Sequence, residues 1–228
     1  MVARIHDIGR ETRVIVVDDF MDEAHLLRAQ AAAMAPFVPE AETYYPGLRR
    51  IITDQDVATR QHVSEALDAL KPLMKRAFGL DRLQPDEAAF CLVTKRPEDL
   101  DMVQHIPHFD RTDPKFFAFL HFLSPQSQGG TSFYRHRATG LERIDKTRLG
   151  YYDLMRSGEL TAHGQPPIGF IADSTDLFER TGYFEGIYNR LLIYQGAILH
   201  SGFIPPDFAY SDDPSTGRLT FNIFVQAE

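Results

Sequence analysis

From Arg218 to Val225 the side chains alternate without a break: Leu219, Phe221, Ile223 and Val225 fall on one side, Arg218, Thr220 and Asn222 on the other. Period two is the pattern of a β-strand with one face in a core. A slip of one residue would drive an arginine into that core, so the register is strongly specified. The second face is polar and charged, so it lines something wet or charged. Comparable runs of aromatic and branched residues at Phe90–Thr94, Phe116–Leu123, Ser132–Tyr134 and Leu191–Tyr194 predict partners for it.

Ahead of these runs the pattern is mostly helical. After a buried strand at Val14–Asp19, Asp22 is placed to cap a helix from Ala24 to about Ala33, and Tyr44-Tyr45-Pro46-Gly47 marks a turn. Between Asp56 and Phe78, residues Val63, Leu67, Leu70, Met74 and Phe78 share one helical face, with Pro72 as a kink point. Helices first and antiparallel strands afterwards predict an α+β fold: a curved double sheet flanked by N-terminal helices. Residues 141–189, partly helical and carrying Pro166-Pro167, read as an insertion between core strands of a single domain spanning 1–228.

Composition narrows the function. The chain has 228 residues, 43% of them hydrophobic, ample for a packed core. Its net charge is −8 and its lysines and arginines are scattered, which argues against a nucleic-acid partner. Met1–Arg13 mixes charges without an apolar core segment, and Phe116–Leu123 is too short to span a bilayer. The expectation is a cytoplasmic protein with no membrane partner. Cys91, the only cysteine, excludes an internal disulfide or a thiolate zinc cluster and reads as a buried strand thiol.

Two distant segments carry metal-ligand chemistry. Pro107 keeps the chain extended into His108-Phe109-Asp110, and alternation puts His108 and Asp110 on the same side. His200, in His200-Ser201-Gly202, closes an apolar run before a glycine turn. Two imidazoles and a carboxylate on one face of a metal leave positions open, as ferrous iron needs for a bidentate cosubstrate and dioxygen. The same donors suit a zinc hydrolase. Arg218 beside Thr220 presents a fork and a hydroxyl that suit a carboxylate. His105 reads as a neighbour of the site or a surface residue, His121 as a core residue, and Tyr44-Tyr45 as packing. Arg135-His136-Arg137 is open between an anion site and a solvated basic turn. No phosphate loop, dinucleotide fingerprint or nucleophile elbow is present.

Phe119-Leu120-His121-Phe122-Leu123 followed by Gly129-Gly130-Thr131-Ser132-Phe133-Tyr134 resembles a segment of prolyl 4-hydroxylase-like oxygenases. The order His108-Phe109-Asp110, Gly-Gly-Thr-Ser-Phe, His200-Ser201-Gly202, Gly217-Arg218-Leu219-Thr220 is similar to that of the Fe(II)/2-oxoglutarate-dependent dioxygenase superfamily, from about residue 90 to 225. A poorly characterised bacterial group within it shares Tyr45-Pro46-Gly47, Asn189-Arg190 and His200-Ser201-Gly202.

The resemblance implies a double-stranded β-helix, jelly-roll or cupin-like. It implies Fe(II) on His108, Asp110 and His200, 2-oxoglutarate with its distal carboxylate on Arg218 and Thr220, and dioxygen as oxidant. The substrate would be a small molecule, an amino acid or a peptidyl side chain. Prolyl hydroxylases carry lysine where Arg218 stands, and a glutamate that is missing between Gly130 and Thr131, so their substrate does not transfer. A zinc hydrolase on the same barrel and a non-catalytic binding protein are the alternatives. An insertion at 141–189 would serve as a substrate lid or as the arm of a homodimer.

Overall fold

The strand patterns pair into two antiparallel sheets in the computed structural model, which describes residues 1–39, 45–164 and 166–228. The elements run β1 (Val2–Ile8), β2 (Thr12–Asp18), α1 (Ala24–Ala33), β3 (Val38–Pro39), β4 (Gly47–Ile51), α2 (Val57–Phe78), β5 (Leu83–Val93), β6 (Phe116–Phe122), β7 (Gly130–His136), α3 (Leu149–His163), β8 (Phe178–Glu185), β9 (Leu191–Gln195), β10 (His200–Phe203) and β11 (Leu219–Ala227). The large sheet has the order β1-β2-β9-β6-β11-β5-β4-β3, and the small one β10-β7-β8. This is a double-stranded β-helix with helices on the outer face of its large sheet, an α+β fold.

The alternation of β11 works as its sequence requires. Leu219, Phe221, Ile223 and Val225 join Phe90, Leu92, Phe117 and Phe119 in one core, which Leu27 of α1 and Val63, Leu67, Leu70 and Met74 of α2 cover. Thr220 and Asn222 point the other way, into the space between the sheets, in register with Cys91 and Ala89 of β5 and with Phe122 and Leu120 of β6. A second core of Val14, Val16, Leu120, Phe122 and Leu192, with Phe133 from β7, fills part of that space. Cys91 is fully buried.

The α2 helix runs through Pro72 and stops at Gly79, whose φ of +74° and N–H bond to the Lys75 carbonyl (2.9 Å) make a left-handed cap. Three expectations need correction. Asp22 does not cap α1, which starts after Glu23 without a side-chain cap bond. The chain is fixed there by a long-range contact instead: the Asn189 side chain accepts from Met21 N–H (3.2 Å) and donates to the Met21 carbonyl (2.7 Å). Residues 141–189 are not simply an insertion, because β8 within them pairs with β7 along the small sheet; its half-buried side chains gave no clean alternation to read. The segment at His108 forms a single bridge with His200 rather than a strand. Of the turn expected at Tyr44–Gly47, Tyr44 lies outside the described residues. From Tyr45 on, the Gly47 N–H bonds to the Tyr45 carbonyl (3.0 Å). A Cβ on Gly47 would stand 1.9 Å from the Leu92 carbonyl oxygen, so the close approach of β4 to β5 requires glycine.

Candidate metal centre and its cavity

His108 and His200 exchange backbone hydrogen bonds, N to O at 2.9 and 2.8 Å, which sets their rings 4.5 Å apart. Asp110 follows with its N–H on the Gly196 carbonyl (2.7 Å). These bonds bring one ligand atom from each of His108, Asp110 and His200 within 4.8 Å of one another. Asp110 Oδ1 is 3.8 Å from His200 Nε2. His200 Nδ1 donates to the Ile198 carbonyl (2.8 Å), which fixes the tautomer and leaves the Nε2 lone pair facing the other two ligands.

Burial, with His200 nearby, holds the His108 imidazole well below its usual pKa, so the ring is a neutral nitrogen donor at pH 7. Burial pushes the Asp110 carboxyl up, while His200, Arg111 and Arg49 pull it back. Asp110 Oδ2 is buried and has no hydrogen-bond partner among the described residues. A buried carboxylate oxygen without a donor is costly. A divalent cation would relieve it, so these three residues fit a metal of the Fe(II) or Zn(II) kind in both donor type and number.

Arg218 and Thr220 line the same cavity, of about 280 Å³. Arg218 is 5% exposed, its Nε and Nη2 donate to the carbonyls of Gln128 and Gly130 (both 3.0 Å), and its guanidinium lies over the Phe122 ring. No carboxylate among the described residues pairs with it. Burial accordingly lowers its pKa. Burial holds the Tyr45 phenol, which lines the cavity beside Thr220, protonated far above its usual range. The Thr131 hydroxyl and Asn222 Oδ1 are buried without partners among the described residues, and both line the cavity. Tyr194, its pKa raised by burial and by Asp110, packs on His200 with ring centres 4.8 Å apart.

The other residues singled out in the sequence lie elsewhere. His105 Nδ1 meets Gly169 backbone, 3.1 Å from its N and 3.0 Å from its O, and so ties the segment before His108 to the loop that sends Phe170 into the cavity. His121 is buried behind the large sheet and donates from Nε2 to Asn189 Oδ1 (3.1 Å). Of Arg135-His136-Arg137, only Arg137 lies exposed in a turn, its Nε donating to the Thr175 carbonyl (2.9 Å); Arg135 and His136 form neither an anion site nor a solvated turn. Arg135 pairs with Glu142 and Glu179, and the fully buried His136 bonds Glu159 of α3 (2.7 Å). Tyr45, Arg49, Asn222 and Phe170 all line the cavity. Asn222 had a signal, its place on the polar face of β11. Tyr45 read as packing, and Arg49 and Phe170 carry no local pattern that separates them from surface or core.

Fold and site together define a class: a double-stranded β-helix with two imidazoles, one carboxylate and a buried arginine lining one cavity. The chain belongs to DUF6445, a family of unknown function, whose model matches residues 1–225. No curated protein matches it in sequence. Among solved structures it is similar to HygX from Streptomyces hygroscopicus with nickel and 2-oxoglutarate bound, at 12% identity and a TM-score of 0.54 over 96% of this chain and 83% of that one. With iron bound, HygX matches at 11% identity and 0.51, over 93% and 81%. The non-heme alpha ketoglutarate dependent epimerase SnoN from nogalamycin biosynthesis matches at 13% and 0.50, over 93% and 76%. At such identities the likeness is one of fold. No helix among the described residues is long and apolar enough to cross a membrane.

Proposed function

We propose that this protein is an Fe(II)- and 2-oxoglutarate-dependent oxygenase that hydroxylates a carbon of a small molecule, an amino acid or a peptidyl side chain. The observation that carries the reading is Arg218, a buried guanidinium without a carboxylate partner among the described residues, in the same cavity as His108, Asp110 and His200. A zinc hydrolase has no use for such a group. An oxygenase needs it to hold the far end of a dicarboxylate.

In this reading His108, Asp110 and His200 hold the metal, Arg218 pairs with the distal carboxylate, and Thr220 with Tyr45 supplies hydroxyl contacts beside it. Leu120, Phe116 and Tyr194 give apolar walls that exclude water from the reacting end. When bound, Fe(II) with 2-oxoglutarate and dioxygen supplies the oxidation. That chemistry would place one oxygen atom in succinate and the other in a substrate C–H bond, with release of carbon dioxide. The protein's share is to orient both molecules and to keep the His200 donor fixed through Ile198.

Anaerobic protein loaded with Fe(II) should change its absorption spectrum on addition of 2-oxoglutarate and bind it by calorimetry. Arg218→Ala should weaken that binding about 100-fold or more while metal binding persists. Wild-type protein that binds metal but not 2-oxoglutarate would overturn the reading.

A further inference from the structure

The cavity's charges are balanced and arranged in adjacent pairs. Three arginines, Arg49, Arg111 and Arg218, and three carboxylates, Asp86, Glu87 and Asp110, line it among the described residues. A divalent metal and a dicarboxylate cosubstrate would cancel each other, so the loaded site has no surplus charge with which to attract a net anion or cation. Arg218 and Asp110 are committed to those two. The other four form two ion pairs. Arg49, 90% or more buried, bonds Glu87 in the cavity wall, and Arg111 pairs with Asp86 (2.6 Å) at the more exposed rim.

From this we infer that the substrate is a compact zwitterion, a free α-amino acid, whose ammonium is received by Glu87 and Asp86 and whose carboxylate is received by Arg49 and Arg111. The inference rests on the oxygenase reading above. A wall-lining ion pair that is already satisfied offers little to a singly charged ligand, since taking one partner strands the other. A ligand carrying both charges a few ångströms apart exchanges one set of paired charges for another. The size agrees: about 280 Å³ is at the lower end of small-molecule sites. Part of that space belongs to the cosubstrate, and Phe170, brought in by the His105–Gly169 contact, closes one wall. A residue inside a peptide lacks both charges and would forfeit this recognition. The balanced reaction is amino acid, dioxygen and 2-oxoglutarate giving hydroxyamino acid, succinate and carbon dioxide.

The experiment takes the full chain with Fe(II) and 2-oxoglutarate, adds each common L-amino acid in turn, and follows succinate release and the gain of one oxygen by mass spectrometry. Any amino acid that responds is then titrated calorimetrically into protein holding Mn(II) and 2-oxoglutarate without turnover, beside its N-acetyl and amide derivatives. At least one free amino acid should respond, and each derivative should bind about tenfold or more weakly. Glu87→Gln should weaken the free amino acid by a similar factor, leave the N-acetyl derivative unaffected, and leave 2-oxoglutarate affinity unchanged. Asp86→Asn, at a half-exposed rim position, gives the same comparison if Glu87→Gln does not fold. If 2-oxoglutarate binds but no free amino acid does, or the derivatives bind equally well, the zwitterion is wrong and the oxygenase stands. If 2-oxoglutarate itself fails to bind, both fall.

Discussion

His121 and His200 are both buried imidazoles with one hydrogen-bonded nitrogen, and the difference between them is where the second nitrogen faces. In His200 it faces Asp110 and the cavity; in His121 it is Nδ1, buried without a partner among the described residues. Burial pushes the His121 pKa down to about 4, against an ordinary value near 6.5. Below pH 6.5 the unfolded chain takes up a proton there that the folded chain refuses. Stability is therefore full above that pH and is lost as pH falls from 6.5 to about 4, by up to about 3 kcal/mol. Denaturant titrations of His121→Phe from pH 7 to 4.5 should show a flatter profile than wild type; an unchanged slope would contradict the assignment. Burial lowers the pKa of His62 as well, and of His108, so some acid sensitivity should remain. At the metal centre, His108→Ala should weaken Mn(II) or Ni(II) binding about 100-fold or more by calorimetry, since two donors cannot hold the ion as three do.

At the scale of elements, the metal ligands are supported by backbone. A Cβ on Gly196 would lie 2.8 Å from Phe116 Cδ1 and 3.1 Å from Asp110 Oδ2. Gly196→Ala should thus cost about 1–3 kcal/mol of stability and also about tenfold in metal affinity, read by melting and calorimetry on the same sample. Loss of stability alone would mean that Asp110 does not depend on this approach. His105→Ala should speed hydrogen exchange at residues 166–171, because the side-chain contact at Gly169 is what fastens that loop to the segment before His108. Much of the large sheet was legible from strict alternation or apolar runs, as in β2, β5, β6, β9 and β11. The strands that escaped, β1, β3, β4, β8 and β10, are short, edge-placed or mixed in burial, so their side chains record no single face. The gathering of His108, Asp110, His200, Arg218 and Thr220 around one cavity was legible in chain order. Arg49 was not, because the carboxylate it pairs with, Glu87, is 38 positions away on the neighbouring strand.

For the whole molecule, ligands that bind only the folded chain should stabilise it by mass action. Metal and 2-oxoglutarate at about 100 times their dissociation constants give about 2.7 kcal/mol each, or about 5–10 °C in melting midpoint for a chain of this size. In Arg218→Ala the metal shift should persist and the 2-oxoglutarate shift should vanish, measured by calorimetric melting. The fold carries one more consequence, through β11. It lies between β6 and β5, so the large sheet remains in two halves until the last of its strands arrives. Docking that strand joins segments far apart in the chain, and such non-local steps are slow, on the order of milliseconds to seconds. The same strand brings Thr220, with Arg218 immediately before it, into the cavity. Closure of the sheet and assembly of the anion pocket are then a single kinetic event, and folding intermediates that lack β11 would have no means of holding a dicarboxylate.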